Sequence, residues 1–246
     1  MTTKNATGLL PRASAGDDRR VSLADRLSIL TFGAIGWPWL LRSLSGGRKR
    51  DKKRLLARLG LPDDALPNLG SWKADTVLLH RIVDTIEALR PAAVVELGAG
   101  ASTLVTAKSL AMNGGGRLVS FDQHADFVTA TRAWLGEHGL TAEMHAVDLV
   151  ESPRGWPGRW YDVHHLPERI DLLIIDGPPW TVHPYVRGAA DSLFDRIPVG
   201  GVVLLDDAAR PGERIIARKW REVWPNFRFE LDTRGTKGTL IGVRVS

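Results

Sequence analysis

Two glycines follow an apolar stretch at the spacing of a ligand-binding turn. Residues 94–103 read V-V-E-L-G-A-G-A-S-T, which predicts a strand, a glycine turn and the start of a helix. Gly98 and Gly100 permit a tight turn and let a ligand approach the backbone. The helix start at Ser102 and Thr103 offers free backbone N–H groups. The segment predicts a nucleotide-type site, although a G-x-G turn alone is a weak signal.

Acidic residues stand in the same region of the predicted sheet. Glu96 lies in the first strand, and Asp122 ends the next one, 122 − 96 = 26 residues later. A carboxylate at that point of a nucleotide-binding fold meets ribose hydroxyls. Asp148 follows a third strand in the same way. Thr103 stands where the dinucleotide-binding fingerprint has its third glycine, which argues against an NAD-dependent dehydrogenase.

Three further carboxylates follow later strands. Asp176 ends the strand in I-I-D-G-P-P, and Asp206 and Asp207 end the next in L-L-D-D, 206 − 176 = 30 residues later. Because parallel strands end at one edge of a sheet, the three side chains are expected to converge. Such oxygen ligands suit Mg²⁺, which would lower the pKa of a substrate hydroxyl. In the alternative, Asp206 or Asp207 caps a helix or contacts a cofactor, and no metal binds.

These residues are positioned by strands that alternate with helices. The predicted strands span residues 93–97, 117–121, 141–147, 170–175 and 199–205, and the predicted helices span residues 75–89, 102–112, 124–138, 183–196 and 213–224. The strands are apolar without polar alternation, which is typical of a parallel sheet buried on both faces. Residues 227–231 and 239–245 predict a closing antiparallel hairpin.

This order of motifs resembles the class I S-adenosylmethionine-dependent methyltransferases over residues 72–246. The resemblance implies a doubly wound, Rossmann-like α/β fold, with a mostly parallel seven-stranded sheet and a C-terminal antiparallel hairpin. An N-terminal helical extension is expected before this domain. It also implies S-adenosylmethionine as the cofactor. Carried over to this sequence, Glu96, Gly98 and Gly100 frame the methionine half, Asp122 with the adjacent Gln123 binds the ribose, Asp148 lies near the adenine, and Ser102, Thr103 and Asp176 complete the cofactor site.

A narrower resemblance is to the catechol-type and macrocin-type O-methyltransferases. It implies a magnesium ion held by Asp176, Asp206 and Asp207, with the acceptor oxygens bound to it. The catechol-type enzymes keep a lysine as general base after the first aspartate, and Pro179 stands there in this chain. The candidate bases are therefore His183, with an ordinary pKa of about 6.5, and a carboxylate of the triad, with Asp176 the first choice.

The expected reaction is methyl transfer to a hydroxyl of a small molecule, a sugar or a glycolipid. Loops above the strand ends must contact this acceptor. The candidates are Trp72, the insertion 152–169 with Trp156, Trp160, Tyr161, His164 and His165, and the loop 180–187. The aromatic residues fit a pocket floor, and they equally fit ordinary packing beneath long loops.

Charge and cysteine content exclude several classes of function. The chain has 33 Lys and Arg against 28 Asp and Glu, a net charge of +5. Residues 1–70 carry 13 − 6 = +7, so the remainder carries 20 − 22 = −2, a poor match to nucleic acid. Zero cysteines exclude disulfides, zinc-thiolate sites and a cysteine nucleophile. With no secretory signal in the polar first 26 residues, a cytoplasmic location is expected.

The sequence divides into a mobile tail over residues 1–26, an apolar and basic extension over residues 27–70, and the methyltransferase domain over residues 71–246. Residues 27–41 are uncharged, but a membrane span needs about 20 apolar residues and Pro38 interrupts the run. Residues 48–54 form a dense cationic cluster directly after it.

The extension admits two interpretations. In the first, the apolar run packs on the main domain or on a second subunit of a homo-oligomer, and the charges are solvated. In the second, residues 27–58 make a peripheral contact with an anionic membrane, at its inner face.

Other functions also stay open. They are a metal-independent methyltransferase acting on another atom, an NAD-dependent oxidoreductase, and a catalytically silent cofactor-binding or membrane-scaffold protein.

Overall fold

The computed structural model describes residues 23–70 and 73–246. Residues 1–22 of the predicted tail and the candidate acceptor residue Trp72 lie outside the described residues. The strands are β1 (Ala93–Leu97), β2 (Arg117–Asp122), β3 (Glu143–Ala146), β4 (Leu149–Glu151), β5 (Arg159–Tyr161), β6 (Leu172–Ile175), β7 (Val202–Leu205), β8 (Phe227–Asp232) and β9 (Thr239–Arg244). The α-helices are α1 (Leu23–Ser43), α2 (Lys49–Leu59), α3 (Thr76–Leu89), α4 (Ala101–Met112), α5 (Ala125–Glu137) and α6 (Pro211–Val223).

Seven of the strands form one sheet in the order β3-β2-β1-β6-β7-β9-β8. The first five run parallel, and β9 pairs antiparallel with both β7 and β8. The predicted doubly wound sheet with a closing hairpin is therefore confirmed. The two short strands β4 and β5 form a separate antiparallel hairpin within the insertion after β3.

The central strands are buried on both faces because their side chains are apolar in both directions. Val94 and Ile174 face one hydrophobic cluster, which contains α3 and α4. Val95 and Leu173 face a second cluster, which contains the insertion and α6. This double burial explains why the strands read as continuous apolar runs.

Strand register brings the carboxyl ends of β1, β6 and β7 level with one another. Leu97 pairs with Ile175, and Ile175 pairs with Leu205. The next residues continue this alignment, since Asp176 N–H donates to Leu97 O at 2.8 Å and Asp206 N–H donates to Ile175 O at 2.9 Å. The acidic residues after these strands consequently lie at one edge of the sheet.

The helix predicted over residues 183–196 is present as a 3₁₀ helix, Val186–Arg196. Two tryptophans pack against it. The indole N–H of Trp220 donates to Gly188 O at 3.0 Å, so this carbonyl is already engaged from outside the helix. The ring of Trp156 lies directly against the backbone of Gly188.

Helices α1 and α2 supply the predicted N-terminal helical extension. Among the described residues α1 spans Leu23–Ser43, and it continues through Pro38. Proline removes one backbone hydrogen bond, here to the carbonyl of Ala34. Pro38 and Ala34 both lie on the exposed face of α1, where water can reach that carbonyl. Of the helices described, none is both long and apolar enough to cross a bilayer.

The rest of the extension belongs to the core. Helix α2 buries Leu55, Leu56 and Leu59 in the same cluster as α3. A left-handed residue, Gly60, ends the helix at φ 60°. The basic residues of α2 therefore lie on a helix that is fixed to the domain.

Candidate functional site

The two glycines of the turn have different roles. Both have positive φ, +95° at Gly98 and +150° at Gly100. A Cβ on Gly98 would lie 2.7 Å from the backbone nitrogen of Gly177, so Gly98 lets the loops after β1 and β6 touch. A Cβ on Gly100 would meet the ring of Phe127 at 3.7 Å, an ordinary contact distance. Gly100 therefore leaves room for a ligand to approach the backbone, whereas Gly98 is in contact with the backbone of Gly177.

Glu96 stabilises the glycine turn through hydrogen bonds. Its Oε2 accepts hydrogen bonds from the hydroxyls of Thr103 and Ser120, each at 2.6 Å. The Thr103 hydroxyl in turn accepts the N–H of Gly100 at 2.8 Å. Thr103, at the place of the third glycine of the dinucleotide fingerprint, is thus a structural part of the turn.

The second oxygen of Glu96 is available to a ligand. Burial raises the pKa of this fully enclosed carboxyl to about 7. Its Oε1 is buried and has no hydrogen-bond partner within residues 23–70 and 73–246. A buried acceptor without a donor is costly, so the atom fits a donor group of a bound cofactor. Ser102, also predicted to bind the cofactor, is buried in the first turn of α4 beside Thr103.

Asp122 braces the same turn from the neighbouring strand. Its carboxylate accepts the N–H of Ala99 at 3.1 Å and the N–H of His124 at 2.9 Å. Burial raises its pKa. Gln123 keeps a buried Oε1 for which the described part of the chain supplies no partner. Asp148 is exposed after β3, so it lies at the rim of this region.

Tyr161 belongs to the site although the sequence gives it no special motif. Pairing of β5 with β4 buries the ring, and the hydroxyl lies against Gly177. Burial raises the pKa of this phenol, and so does the nearby charge of Asp122, with smaller contributions from Asp176 and Glu96. Among the described residues the hydroxyl has no hydrogen-bond partner. It therefore presents a free donor between the glycine turn and the later carboxylates.

Asp176, Asp206 and Asp207 converge as predicted. Carboxylate oxygens of the three lie within 4.8 Å of one another. The cluster is unequal in exposure: the side chain of Asp176 is 13% exposed, whereas those of Asp206 and Asp207 are sealed at 0% and 3%. Burial and the charge of Asp206 hold the pKa of Asp176 well above its usual range.

Three cations that sequence reasoning missed fill the space around this cluster. The Lys237 Nζ lies 3.1 Å from Asp206 Oδ2 and 3.2 Å from Asp207 Oδ1. Arg187 and Arg210 lie 2.9 Å and 3.0 Å from the other oxygen of Asp207. Although burial acts to raise the pKa of Asp207, the cations Arg210, Lys237 and Arg187 hold it well below its usual range.

The three cations beside the carboxylates determine whether the cluster can bind a metal ion. Magnesium needs oxygen ligands and water at about 2.0–2.1 Å. Lys237 places a positive charge between two of the three carboxylates. As the structure arranges them, these residues do not fit a divalent cation. The involvement of Mg²⁺ stays a prediction.

His183, the other predicted base, is engaged elsewhere. Its buried ring accepts the N–H of Tyr185 at Nδ1, 3.1 Å away, and its Nε2 lies 3.7 Å from Asp25 on α1. Burial lowers its pKa. Within the described ranges no hydrogen bond or ion pair joins His183 to Asp176. The geometry therefore assigns His183 to the contact with α1, and its role as a base has no geometric support.

Several aromatic residues of the insertion pack instead of lining a pocket. Trp156 is buried and donates to Asp191 at 3.2 Å, and Trp160 is buried in the same cluster. His164 is exposed and lies 3.0 Å from Asp162, while His165 stands in a loop at φ 55°.

Helix α1 covers the side of the sheet edge where the carboxylates lie. A cleft between α1 and the loops after β6 and β7 is lined by Phe32, Trp180, Pro184, Arg210 and Glu213. A second cavity of about 210 Å³ lies between α1 and the turn before β9, beside Arg42 and Arg214. These two spaces present apolar surface and cationic groups beside α1, and Asp176 lines neither of them.

A family model matches the middle of the chain, somewhat less than half of its length. Residues 95–208, which include the glycine turn and all three clustered aspartates, match a family described as a methyltransferase domain. No curated protein matches the chain. The sequence-based resemblance to class I methyltransferases is thereby confirmed.

Solved structures share the fold at low identity. A methyltransferase from Podospora anserina bound to SAH superposes with a TM-score of 0.53 at 12% identity, over 93% of this chain and 99% of the other. An O-methyltransferase from Bacillus cereus in complex with SAH gives 0.52 at 15% identity, over 88% and 99%. A putative O-methyltransferase from Klebsiella pneumoniae gives 0.51 at 16% identity, over 90% and 97%.

Proposed function

We propose that this chain, a methyltransferase of the class I fold, transfers the methyl group of S-adenosylmethionine to a hydroxyl oxygen of an acceptor with an apolar part. The observation that carries the proposal is the position of Asp176. This carboxylate ends the strand next to the glycine turn, and it is the partly open member of a cluster whose other two carboxylates are sealed.

The residues around the turn fit the cofactor. Two of the similar structures are described as complexes with SAH. Gly100 and the N-terminus of α4 provide a backbone surface, and the unpartnered Glu96 Oε1 and Tyr161 hydroxyl offer an acceptor and a donor. Asp122 and Gln123 stand where a ribose would lie. When bound, S-adenosylmethionine supplies a methyl group on a positively charged sulfur, which a nucleophile displaces in line.

Asp176 is the proposed acceptor of the hydroxyl proton. Its pKa is raised by burial and by Asp206, so the carboxylate is more basic than an exposed aspartate. Arg187 fixes its backbone, since Nη2 donates to Asp176 O at 2.6 Å and Nε donates to Pro178 O at 3.1 Å. The side chain is therefore held at the sheet edge by a buried scaffold.

The apolar side chains beside α1 support an acceptor with an apolar part. Phe32, Trp180 and Pro184 line a cleft of about 30 Å³, so the proposed contact is with the surface of this cleft and not inside it. Oxygen as the methylated atom is supported by Asp176, which can deprotonate a hydroxyl, and by the two similar structures described as O-methyltransferases. The identity of the acceptor within this class is the subject of the experiment.

The test combines cofactor binding with turnover. Calorimetry should show S-adenosylmethionine binding by the wild type and by Asp176→Asn, but weaker binding by Gly100→Val. Methylation of a panel of hydroxyl-bearing lipids, sugars and phenols, followed with labelled cofactor, should fall by about 10²- to 10⁴-fold in Asp176→Asn. Asp195→Asn, at an exposed acidic position that pairs with Arg154 at the surface, is the matched control for turnover.

Two outcomes would contradict the proposal. Full turnover in Asp176→Asn would remove this carboxylate as the base. Unchanged cofactor binding in Gly100→Val would remove the glycine turn as the binding surface.

A further inference from the structure

The aspartate cluster carries its own cation, and we infer that the Lys237 ammonium takes the place that a metal ion would have between Asp206 and Asp207. The inference concerns the chemistry of the cluster and can be tested without an acceptor. It rests on the proposed function only for its consequence at Asp176.

The position of the ammonium is the first argument. Lys237 Nζ bridges the two carboxylates at 3.1 Å and 3.2 Å, and its side chain is 1% exposed. A buried lysine of this kind needs paired charge to remain ionised. An ion bound between the same carboxylates would meet this ammonium, so the two cannot be bound there together.

The charge balance is the second argument. The two sealed carboxylates, Asp206 and Asp207, are already contacted by three cations, which are Lys237, Arg187 and Arg210. A divalent cation at these two carboxylates would add positive charge beside those three cations in a low-dielectric interior.

The backbone of Lys237 is fixed on both sides, which is the third argument. Asp75 accepts the N–H of Lys237 at 3.2 Å, and Lys237 O accepts the N–H of Ala209 at 3.0 Å. The neighbouring Gly238 O accepts the N–H of Ala208 at 3.0 Å. The ammonium is therefore built into the cluster by the turn between β8 and β9.

The three carboxylates therefore have different roles in the active site. Asp206 and Asp207 hold Lys237 and close the sheet edge, while Asp176 keeps access to the site. Lys237 acts on the reaction through this arrangement, so it is a positioning residue.

The experiment measures metal binding directly. Titration of the full chain with Mn²⁺, followed by electron paramagnetic resonance, should show no stoichiometric site in the wild type. Lys237→Ala removes the ammonium and should gain a Mn²⁺ site at least about tenfold tighter than any wild-type binding. Lys237→Arg keeps the charge and should behave as the wild type, as should Lys49→Ala at an exposed position on α2.

If Lys237→Ala does not fold, the wild type and Asp206→Asn still test the inference. One Mn²⁺ bound by the wild type and lost in Asp206→Asn would overturn the inference. Turnover that disappears with a chelator and returns with Mg²⁺ would also overturn it. Loss of turnover in Asp176→Asn without any metal binding would leave the proposed function and this inference both supported, so the two are separable.

The outer face of α1 carries a second proposal on independent grounds. An exposed stripe runs along the helix and the residue after it, at spacings of three and four that keep side chains on one face. It consists of Leu23, Leu27, Leu30, Ala34, Trp37, Leu41 and Leu44. Leu23 and Leu30 are 84% and 71% exposed. A helix face this apolar needs a covering partner.

The opposite face of α1 is already covered by the domain. The ring of Phe32 packs edge-on against Tyr185 at a centroid distance of 5.1 Å, and Gly33 lies against the ring of Trp180. The outward stripe is therefore a separate surface, held by a helix that is docked from behind.

The charges that follow α1 in the chain indicate which kind of partner covers the stripe. The chain that follows α1 presents the exposed cations Arg48, Lys49, Arg50, Lys53 and Arg54. We propose that the stripe and these cations rest together on an anionic lipid surface. The leucines and Trp37 would enter the boundary of the acyl chains, and the cations would meet phosphate groups. An apolar stripe alone would equally suit a second copy of the chain, but the cationic cluster favours lipid phosphate.

Vesicle sedimentation of the full chain tests this surface. The wild type should sediment with phosphatidylcholine vesicles that contain phosphatidylglycerol, and far less with phosphatidylcholine alone. The double variant Leu27→Asp with Leu30→Asp should bind about tenfold more weakly or less. Val199→Asp, at a 65% exposed apolar position elsewhere, is the matched control.

Two results would overturn the membrane surface. The first is wild-type protein that stays in the supernatant with anionic vesicles. The second is a dimer in analytical ultracentrifugation that Leu30→Asp dissociates, because the stripe would then be covered by a second copy.

Discussion

The carboxylate of Asp75 accepts a hydrogen bond from the backbone N–H of Lys237, although 162 residues separate the two in the chain. The same carboxylate caps α3, because its other oxygen accepts the N–H groups of Val77 and Leu78 at 3.0 Å and 2.9 Å. One buried side chain therefore ties α3, the helix directly before the sheet, to the last turn of the sheet. The cation of the aspartate cluster is positioned from that point.

Asp75→Ala should lower the free energy of unfolding by about 2–4 kcal/mol, because it removes a helix cap and leaves buried N–H groups of the turn unpaired. Urea unfolding followed by circular dichroism measures the change. Asp84→Ala is the control, since Asp84 pairs with Arg58 at the surface and such pairs contribute about 1 kcal/mol or less. Equal losses in the two variants would contradict the role given to Asp75.

Gly98→Ala should destabilise the protein more than Gly114→Ala does. The two glycines have nearly the same φ, +95° and +98°, so the backbone strain of an alanine is alike. Gly98 alone of the pair is crowded, by Gly177 at 2.7 Å, whereas a Cβ on Gly114 has nothing within 4 Å in the described structure. Overpacking should add about 1–3 kcal/mol. Thermal unfolding of both variants measures the difference, and equal midpoints would refute the loop contact.

Thr103→Val should weaken both the fold and cofactor binding. The change removes the acceptor of the Gly100 N–H and a donor to Glu96, which should cost about 1–3 kcal/mol. Calorimetry with S-adenosylmethionine and urea unfolding measure the two effects. Thr106→Val on the same helix is the control, because the buried Thr106 hydroxyl has no partner among the residues described and its removal should be nearly neutral.

Glu96→Gln should change how stability depends on pH. The pKa of Glu96 is about 7 in the folded protein against an ordinary value of 4.5, so the folded state binds its proton more tightly than the unfolded state does. Stability from this group is complete below about pH 4.5, and it decreases as the pH rises to about 7, by about 3 kcal/mol. Glutamine cannot ionise, so the variant should lack this decrease.

Unfolding free energies at several pH values between 4.5 and 7.5 test that expectation. Glu213, whose pKa is also raised to about 7 by burial, contributes a decrease of its own in the same range. Glu96→Gln should therefore flatten the curve without abolishing its slope. A variant curve parallel to that of the wild type would show that Glu96 is not the buried acid described.

The fold was predictable because its signals are local. Short apolar runs separated by helical spacing indicate a buried parallel sheet, and residues 227–245 contain their own turn. Two details of the helices, the passage of α1 through Pro38 and the 3₁₀ form of Val186–Arg196, depend on tertiary contacts. Exposure of Ala34 makes Pro38 tolerable in a helix, and the indoles of Trp156 and Trp220 engage Gly188, which lies far from both in the sequence.

The acidic residues of the site could be predicted from the sequence, but its cations could not. Strand ends place Glu96, Asp122 and Asp176 by register alone, so their positions can be predicted from the pattern. Lys237 lies in the turn of the closing hairpin, where a basic residue is usually solvated. Only the contact of that turn with Asp75 shows that its side chain points into the cluster. Tyr161 could be named only as one of several aromatic candidates for acceptor contact, because the pairing of β4 and β5 that fixes its ring is not visible in the sequence.

The pairing of Lys237 with Asp206 joins residues that are synthesised at different times. Lys237 follows Asp206 by 31 residues, so the acids of the cluster are synthesised before the last of the three cations that compensate them. Until β9 joins β7, burial of Asp206 without Lys237 would cost several kcal/mol. We therefore expect the carboxyl edge of the parallel strands to stay hydrated in the nascent chain until the antiparallel hairpin forms.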